Sequence, residues 1–283
     1  MGFLTKRQRV LIGLIHEFRQ KNMSSNIAVV KGLFILKEEE RMDDMIKFYS
    51  FLPYKYGPFS YDCYRDLNTL MAEGYITRDE KAATQKGMEI VGEMDQKTSQ
   101  KIKNTASKFQ SPTHIKNYVY KHYPYYTIKS ELVPHEEKKA KFGIFTIGYE
   151  GHNIDSFLNI LIQNEIDILI DVRKNPFSMN FSFSQKKLSD YLDKVEIKYR
   201  HIPELGIKGE LRKNLNSEKD YKELFVMYEN TTVKEHSKEI REIIELGKTN
   251  RIALMCFEKE LHHCHRSVLS QHIETEGIGV THI

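Results

Sequence analysis

Residues 254–273, LMCFEKELHHCHRSVLSQHI, hold two of the chain's three cysteines and four of its twelve histidines. Thiols, imidazoles and a carboxylate at this density serve metal binding, thiol chemistry or anion capture. A structural zinc site wants four ligands in two closely spaced pairs. Cys256 and Cys264 are eight positions apart, and the remaining thiol, Cys63, lies in a different part of the chain. A site from Cys256, Cys264 and one or two of His262, His263 and His265 is the less favoured alternative, and no metal and no cofactor are expected. A phosphatase-type Cys-x5-Arg loop is also absent, because Ser270 stands six residues after Cys264. Cys264, next to His263, His265 and Arg266 at the start of an expected helix, has surroundings that lower a thiol pKa. The same helix start, with Arg266 and Ser267, favours a bound anion, and anion binding is the preferred reading.

Such groups need elements to position them. The stretches 142–151, 167–176, 197–206 and 251–258 read as strands with apolar centres, and amphipathic segments such as NIDSFLNILIQNEI (153–166) lie between them. Alternating strands and helices imply a parallel sheet covered on both faces. With the closing VTHI, residues 143–283 are expected to form an α/β domain with a mostly parallel five-stranded sheet. Three strands end in polar residues: Tyr149 and Glu150, Asp171 and Arg173, Cys256 and Glu258. Ligands of open parallel sheets bind beyond the strands' carboxyl ends, so these residues should share one edge. The expected catalytic set is Tyr149, Asp171, Arg173, Cys256 and Glu258. Asp171 or Glu258 would act as base or electrostatic stabiliser, and Arg173 and Arg266 would clamp phosphate. Gly148, Ser178, His201, Cys264, His265, Arg266 and Ser267 are the expected substrate- or phosphate-binding residues.

Taken in order, these motifs closely resemble the domain-of-unknown-function family 488. The residues are Thr146-Ile147-Gly148-Tyr149, then Asp171-Val172-Arg173 with Pro176 and Ser178. His201, Pro203, Leu205 and Gly206 follow, and Cys256, Glu258, Cys264, His265 and Arg266 close the set. Ile207-Lys208 departs from the pattern, since members often continue with a second glycine. The resemblance implies a single α/β domain with a shared pocket and no assigned activity.

The first 95 residues read differently. Helices are expected over 5–20 and 26–38, a turn at Gly57-Pro58, and a helix capped by Ser60 with Leu67, Leu70 and Met71 facing inward. A small hairpin should follow over 75–87. This layout is similar to a winged helix-turn-helix domain, and YKYGPFSYDCYRDLNTL resembles the segment found in antitoxin-like Panacea domains. Asp62 and Asp66 on the expected recognition helix, opposed only by Arg65, argue against base reading, which usually employs Arg, Lys, Asn or Gln. A protein partner through this domain is the open alternative.

The net charge of +4 is uneven, with residues 1–95 neutral, 96–142 at +7 and 143–283 at −3. The middle stretch is expected to be a basic, tyrosine-rich connector whose Lys97, Lys101, Lys103, Lys108, Lys116 and Lys121 touch nucleic acid. No run is long and apolar enough for a membrane span, and the few cysteines indicate a cytoplasmic address. Together these features lead to a DNA-associated enzyme of hydrolase type, acting on DNA or a nucleotide in repair, modification or antiviral defence. The alternative is a non-enzymatic regulator whose α/β domain senses a small anion or a redox state. The sequence does not fix the oligomeric state.

Overall fold

Apolar β-branched runs bounded by polar turns make the strands of the second half, and period-3.6 faces make the helices of the first. The computed structural model describes residues 4–78, 81–134, 141–213 and 215–283. The chain divides into two units, residues 1–136 and 137–283.

The N-terminal unit opens with α1 (Lys6–Arg19) and α2 (Asn26–Glu38). Their starts are fixed by Thr5, in a reciprocal capping box with Gln8, and by Ser25. A hairpin of β1 (Leu52–Tyr54) and β2 (Gly57–Phe59) follows, with Gly57 at φ +94°, a conformation that favours glycine. Gly57-Pro58 thus opens a strand rather than forming the turn, because Lys55 and Tyr56 make the tight connection. Next come α3 (Tyr61–Ala72), capped by Ser60, and α4 (Gln85–Gly92). Between them the expected hairpin is seen as one antiparallel bridge, Ile76 to Ala83, and residues 79–80 lie outside the described ones.

The stretch expected to be a connector is largely folded. It forms α5 (Gln96–Lys108) and α6 (Pro112–His122), with Asp95 and Ser111 as N-caps. Ile102, Ala106, Phe109, Ile115 and Val119 join the same core as α1 and α2. A lysine-rich outer face hid this inner stripe from a reading of composition. Residues 135–140, the end of that stretch bar Lys141 and Phe142, lie outside the described ones. The tyrosines are largely spent on packing: Tyr123 and Tyr126 meet Phe34 edge-on at 4.9 and 4.6 Å. Two of the six lysines are engaged too. Lys101 donates to the Glu40 carbonyl, and Lys108 pairs with Glu39 at 2.8 Å. Lys97, Lys103 and Lys121 are exposed, and Lys116 is half-buried.

One buried charge gives this unit a pH signature. Lys31 in α2 is 1 % exposed and donates to the Tyr56 carbonyl. Burial, with repulsion from Lys116, pushes its ammonium down to about 8. A lysine depressed in the folded state opposes folding at pH values below that point. The opposition fades as pH rises from 8 toward the unfolded value near 10.4, because the unfolded chain then binds more protons. The wild-type unit should gain at most about 3 kcal/mol over this window. Lys31→Met should lack that gain. Thermal unfolding of both proteins at about pH 7 and about pH 9.5 checks it, and parallel pH dependence in the two would refute it.

The C-terminal unit contains β3 (Gly143–Gly148), α7 (Ile154–Gln163), β4 (Ile168–Asp171), α8 (Gln185–Lys194) and β5 (Lys198–His201). Then follow α9 (Glu218–Tyr228), α10 (Ser237–Gly247), β6 (Arg251–Cys256), α11 (Arg266–Thr275) and β7 (Val280–His282). The five strands run β5-β4-β6-β3-β7, and every neighbouring pair is parallel. The register sets Gly148 opposite Cys256 and Asp171 opposite Met255. The three central strands therefore end level with one another, and their carboxyl ends make one rim.

Candidate functional site

At the end of β4, Asp171 is fully buried and Arg173 is 5 % exposed. Arg173 gives Nε to one carboxylate oxygen at 2.8 Å and Nη2 to the other at 2.6 Å. Its Nη1 donates to the Tyr149 hydroxyl and Nη2 also to the Phe183 carbonyl, both at 3.0 Å. The Tyr199 hydroxyl donates to Asp171 at 2.7 Å, and burial, then Asp171, pushes that phenol up. Asp171 and Arg173 are thus engaged with each other, and Tyr149, stacked on Phe183 at 4.4 Å, completes the arrangement. These three expected catalytic residues form a buried brace that sets the rim's shape. His201 extends it by hydrogen-bonding the Arg173 carbonyl at 2.8 Å. Ser178 is 9 % exposed, and its carbonyl faces the Ser184 hydroxyl.

Around the end of β6 the chemistry is different. Cys256, Cys264 and His265 are all buried, and their Sγ, Sγ and Nδ1 or Nε2 atoms lie within 4.8 Å of one another. Cys256 Sγ is 3.7 Å from His265 Nδ1 and 3.1 Å from a Glu258 carboxylate oxygen. His265 Nε2 meets the Val172 carbonyl at 3.1 Å, which makes Nε2 the protonated nitrogen and Nδ1 the lone pair. That lone pair faces Arg212 Nη2 at 2.9 Å, and Arg212 also pairs with Glu258. Tyr228 holds the imidazole edge-on at 5.4 Å and donates to the Leu205 carbonyl.

Two expectations change here. Cys264 is not an activated surface thiol: burial, with Cys256 beside it, pushes it well above the usual thiol range. Arg266 is not an open phosphate clamp. It is 2 % exposed, donating Nε to Cys264 Sγ at 3.1 Å and Nη2 to the Glu258 carbonyl at 2.5 Å. Ser267 turns its hydroxyl back to the Cys264 carbonyl. The helix start thus ties the 257–264 loop down.

Gly148 lets that loop close. A Cβ there would lie 1.9 Å from the Glu258 carbonyl oxygen. Backbone bonds from Tyr149 to Cys256 and from Glu150 to Phe257 continue the sheet contact past its last residues.

Above Glu258 and Arg212 opens a cavity of about 440 Å³. Tyr221, Phe225, Phe257 and His263 give it aromatic walls, and Leu215 and Leu224 add apolar ones. Burial alone would raise the Glu258 carboxyl, but Arg212 and hydrogen bonds from its own backbone and the two thiols hold it below its usual value. It is an ionised group at the cavity floor.

The family of the domain of unknown function DUF488 matches residues 153–273. The match runs from the N-cap of α7 into α11 and covers the brace residues Asp171 and Arg173 with Cys256, Glu258, Cys264 and His265. The opening motif Thr146–Tyr149 falls just outside it. No curated protein and no solved structure matches the chain. Among the described residues, no helix is long and apolar enough to cross a membrane.

Arg212, Tyr221 and Phe225 carried no signal in the sequence. Arg212 sits on a polar stretch after the Leu205-Gly206 turn, and the two aromatics sit on α9, whose inward face looks like ordinary core. Phe257 and His263 belong to the 254–273 stretch that stood out from the start.

Proposed function

We propose that the protein is a nucleic-acid-associated enzyme of hydrolase type whose α/β unit acts on a base or nucleotide in the aromatic-walled cavity. The observation that carries this reading is the cavity's composition. Flat aromatic walls stack on a planar ring, and an ionised carboxylate beside a guanidinium at the floor can bond a base edge.

In the same proposal, the N-terminal unit works as a winged-helix DNA binder. The acidic α3 argues less against this than its sequence did. Asp62 and Asp66 are 4 % and 5 % exposed and accept from Arg7 at 3.2 and 2.8 Å, and Tyr49 donates to Asp66. The outer face of α3 carries exposed Arg65 and Asn68 beside half-buried Tyr61, Tyr64 and Thr69, residue types suited to base edges and phosphates. Exposed Lys97, Lys103 and Lys121 would add a salt-dependent phosphate term. DNA repair, modification or antiviral defence is the setting such an enzyme would fit.

Arg65→Ala/Asn68→Ala should weaken binding of the whole chain to duplex DNA about tenfold or more. Charge reversal at Lys97, Lys103 and Lys121 should flatten the salt dependence. Fluorescence anisotropy across a salt series reads both. Binding that ignores salt and both sets of changes would sink the DNA reading. The two adjacent thiols keep the regulator alternative specific: a redox sensor would join Cys256 to Cys264 under mild oxidant.

A further inference from the structure

We propose that Cys256, Cys264 and His265 form a zinc site of catalytic type, with an open fourth position facing the aromatic cavity and Glu258 placed to take a proton from a metal-bound water. The donors are two thiols and one imidazole, the soft and borderline set that zinc prefers.

The spacing of the donor atoms fits. In a tetrahedral site with ordinary Zn–S and Zn–N lengths, sulfur and nitrogen lie about 3.6 Å apart, and Cys256 Sγ lies 3.7 Å from His265 Nδ1. All three donor atoms fall within 4.8 Å of one another.

The surroundings fit as well. Metal-bound histidines usually donate their other nitrogen to a carbonyl or carboxylate, and His265 Nε2 does so to Val172. Arg266 directs an N–H at Cys264 Sγ, an outer partner that would orient a metal-bound sulfur. The three donors carry two negative charges once the thiols deprotonate. A cation already stands before them: Arg212 donates to the Nδ1 lone pair and to Glu258. Arg212 closes a short turn, and its side chain is 28 % exposed, so it has room to move aside for a metal.

The fourth position faces the cavity through Glu258 and Arg212, which line it and bond Cys256 and His265 directly. Glu258 lies 3.1 Å from Cys256 Sγ and lines the cavity itself. A water bound there would give its proton to the Glu258 carboxylate and leave a zinc-held hydroxide. That hydroxide would face an electrophilic carbon of a planar ring stacked between the walls. The site stands on its own donors and does not depend on whether the N-terminal unit binds DNA.

The test uses the whole chain, purified under reducing conditions. Elemental analysis should find about one zinc per chain. Replacement by cobalt should give thiolate-to-metal charge-transfer absorption and the intense visible bands of a tetrahedral centre. Cys256→Ser and His265→Asn should each lower metal content tenfold or more, whereas Glu258→Gln should keep the metal. Metal-free protein with reduced thiols that takes up no cobalt would overturn the proposal. So would metal retained in Cys256→Ser, which would lie instead on the cluster of exposed Glu218 and His262 with half-buried His263. Loss of metal in Glu258→Gln would overturn the open position, and a Cys256–Cys264 disulfide in the isolated protein would overturn the site in favour of redox sensing. The cobalt spectrum of the wild-type chain needs no variant to fold.

Discussion

Replacing Asp171 by leucine should destabilise the C-terminal unit by about 3–5 kcal/mol, because it strands the Arg173 guanidinium in the interior. Asp171 is fully buried and accepts four hydrogen bonds: from the Arg173 backbone, Arg173 Nε and Nη2, and Tyr199. Removing it leaves a buried charge and a half-buried phenol without their main acceptor. The companion variant Asp171→Leu/Arg173→Met removes both charges and should cost distinctly less than the single change. Its residual cost comes from the Tyr149 and Tyr199 hydroxyls and the Phe183 carbonyl, each of which loses a partner. Hydrogen exchange at β4 and β6 amides reads this unit apart from the N-terminal one. A single variant no less stable than the double would show that the pair is not a brace. Loss of activity in either variant would then bear on folding before it bore on catalysis.

The brace marks the boundary of what the sequence could tell. Two charges directly after a buried strand identify a special position, and Asp171 and Arg173 occupy one. Whether such a pair faces a ligand or faces itself depends on Tyr149, Tyr199 and Phe183, which arrive from other elements. The same limit applies at the other end of the chain. Asp66 reads as an acidic surface residue because its partner Arg7 lies 59 positions away, and the same Arg7 adds to the local Arg65 pair of Asp62. Helices α1 and α2, the sheet and its five strands were legible because apolar period and capping residues are local signals. The two helices in the basic stretch were not, since their apolar core positions, Ile102, Ala106, Ile115 and Val119, are spread thinly among lysines and tyrosines. Spacing argued against a metal at Cys256 and Cys264, yet the 257–264 loop folds back and returns Cys264 and His265 to the strand end. Counting positions along the chain cannot register a closed loop.

That closure makes Gly148 the most sensitive backbone position at the site. Gly148→Ala would put a methyl 1.9 Å from the Glu258 carbonyl oxygen and 2.9 Å from Arg266 Nη2. The first obstacle is backbone, which can retreat only by stretching the bonds from Tyr149 to Cys256 and from Glu150 to Phe257. Overpacking of this kind costs at least about 2 kcal/mol, and the displaced groups are those that position Glu258 and Cys264. A nearby control separates space from conformation. Gly151 has φ +81° and nothing within 4 Å of an added Cβ, so Gly151→Ala carries only the left-handed backbone strain, about 1 kcal/mol. The expected result is therefore ordered: Gly148→Ala loses more stability than Gly151→Ala and speeds exchange of the Tyr149 and Glu150 amides, while Gly151→Ala leaves the 257–264 loop protected. Equal losses with unchanged exchange would mean that the loop does not rest on Gly148. Cys264 and His265 would then reach the strand end by packing of α11 alone.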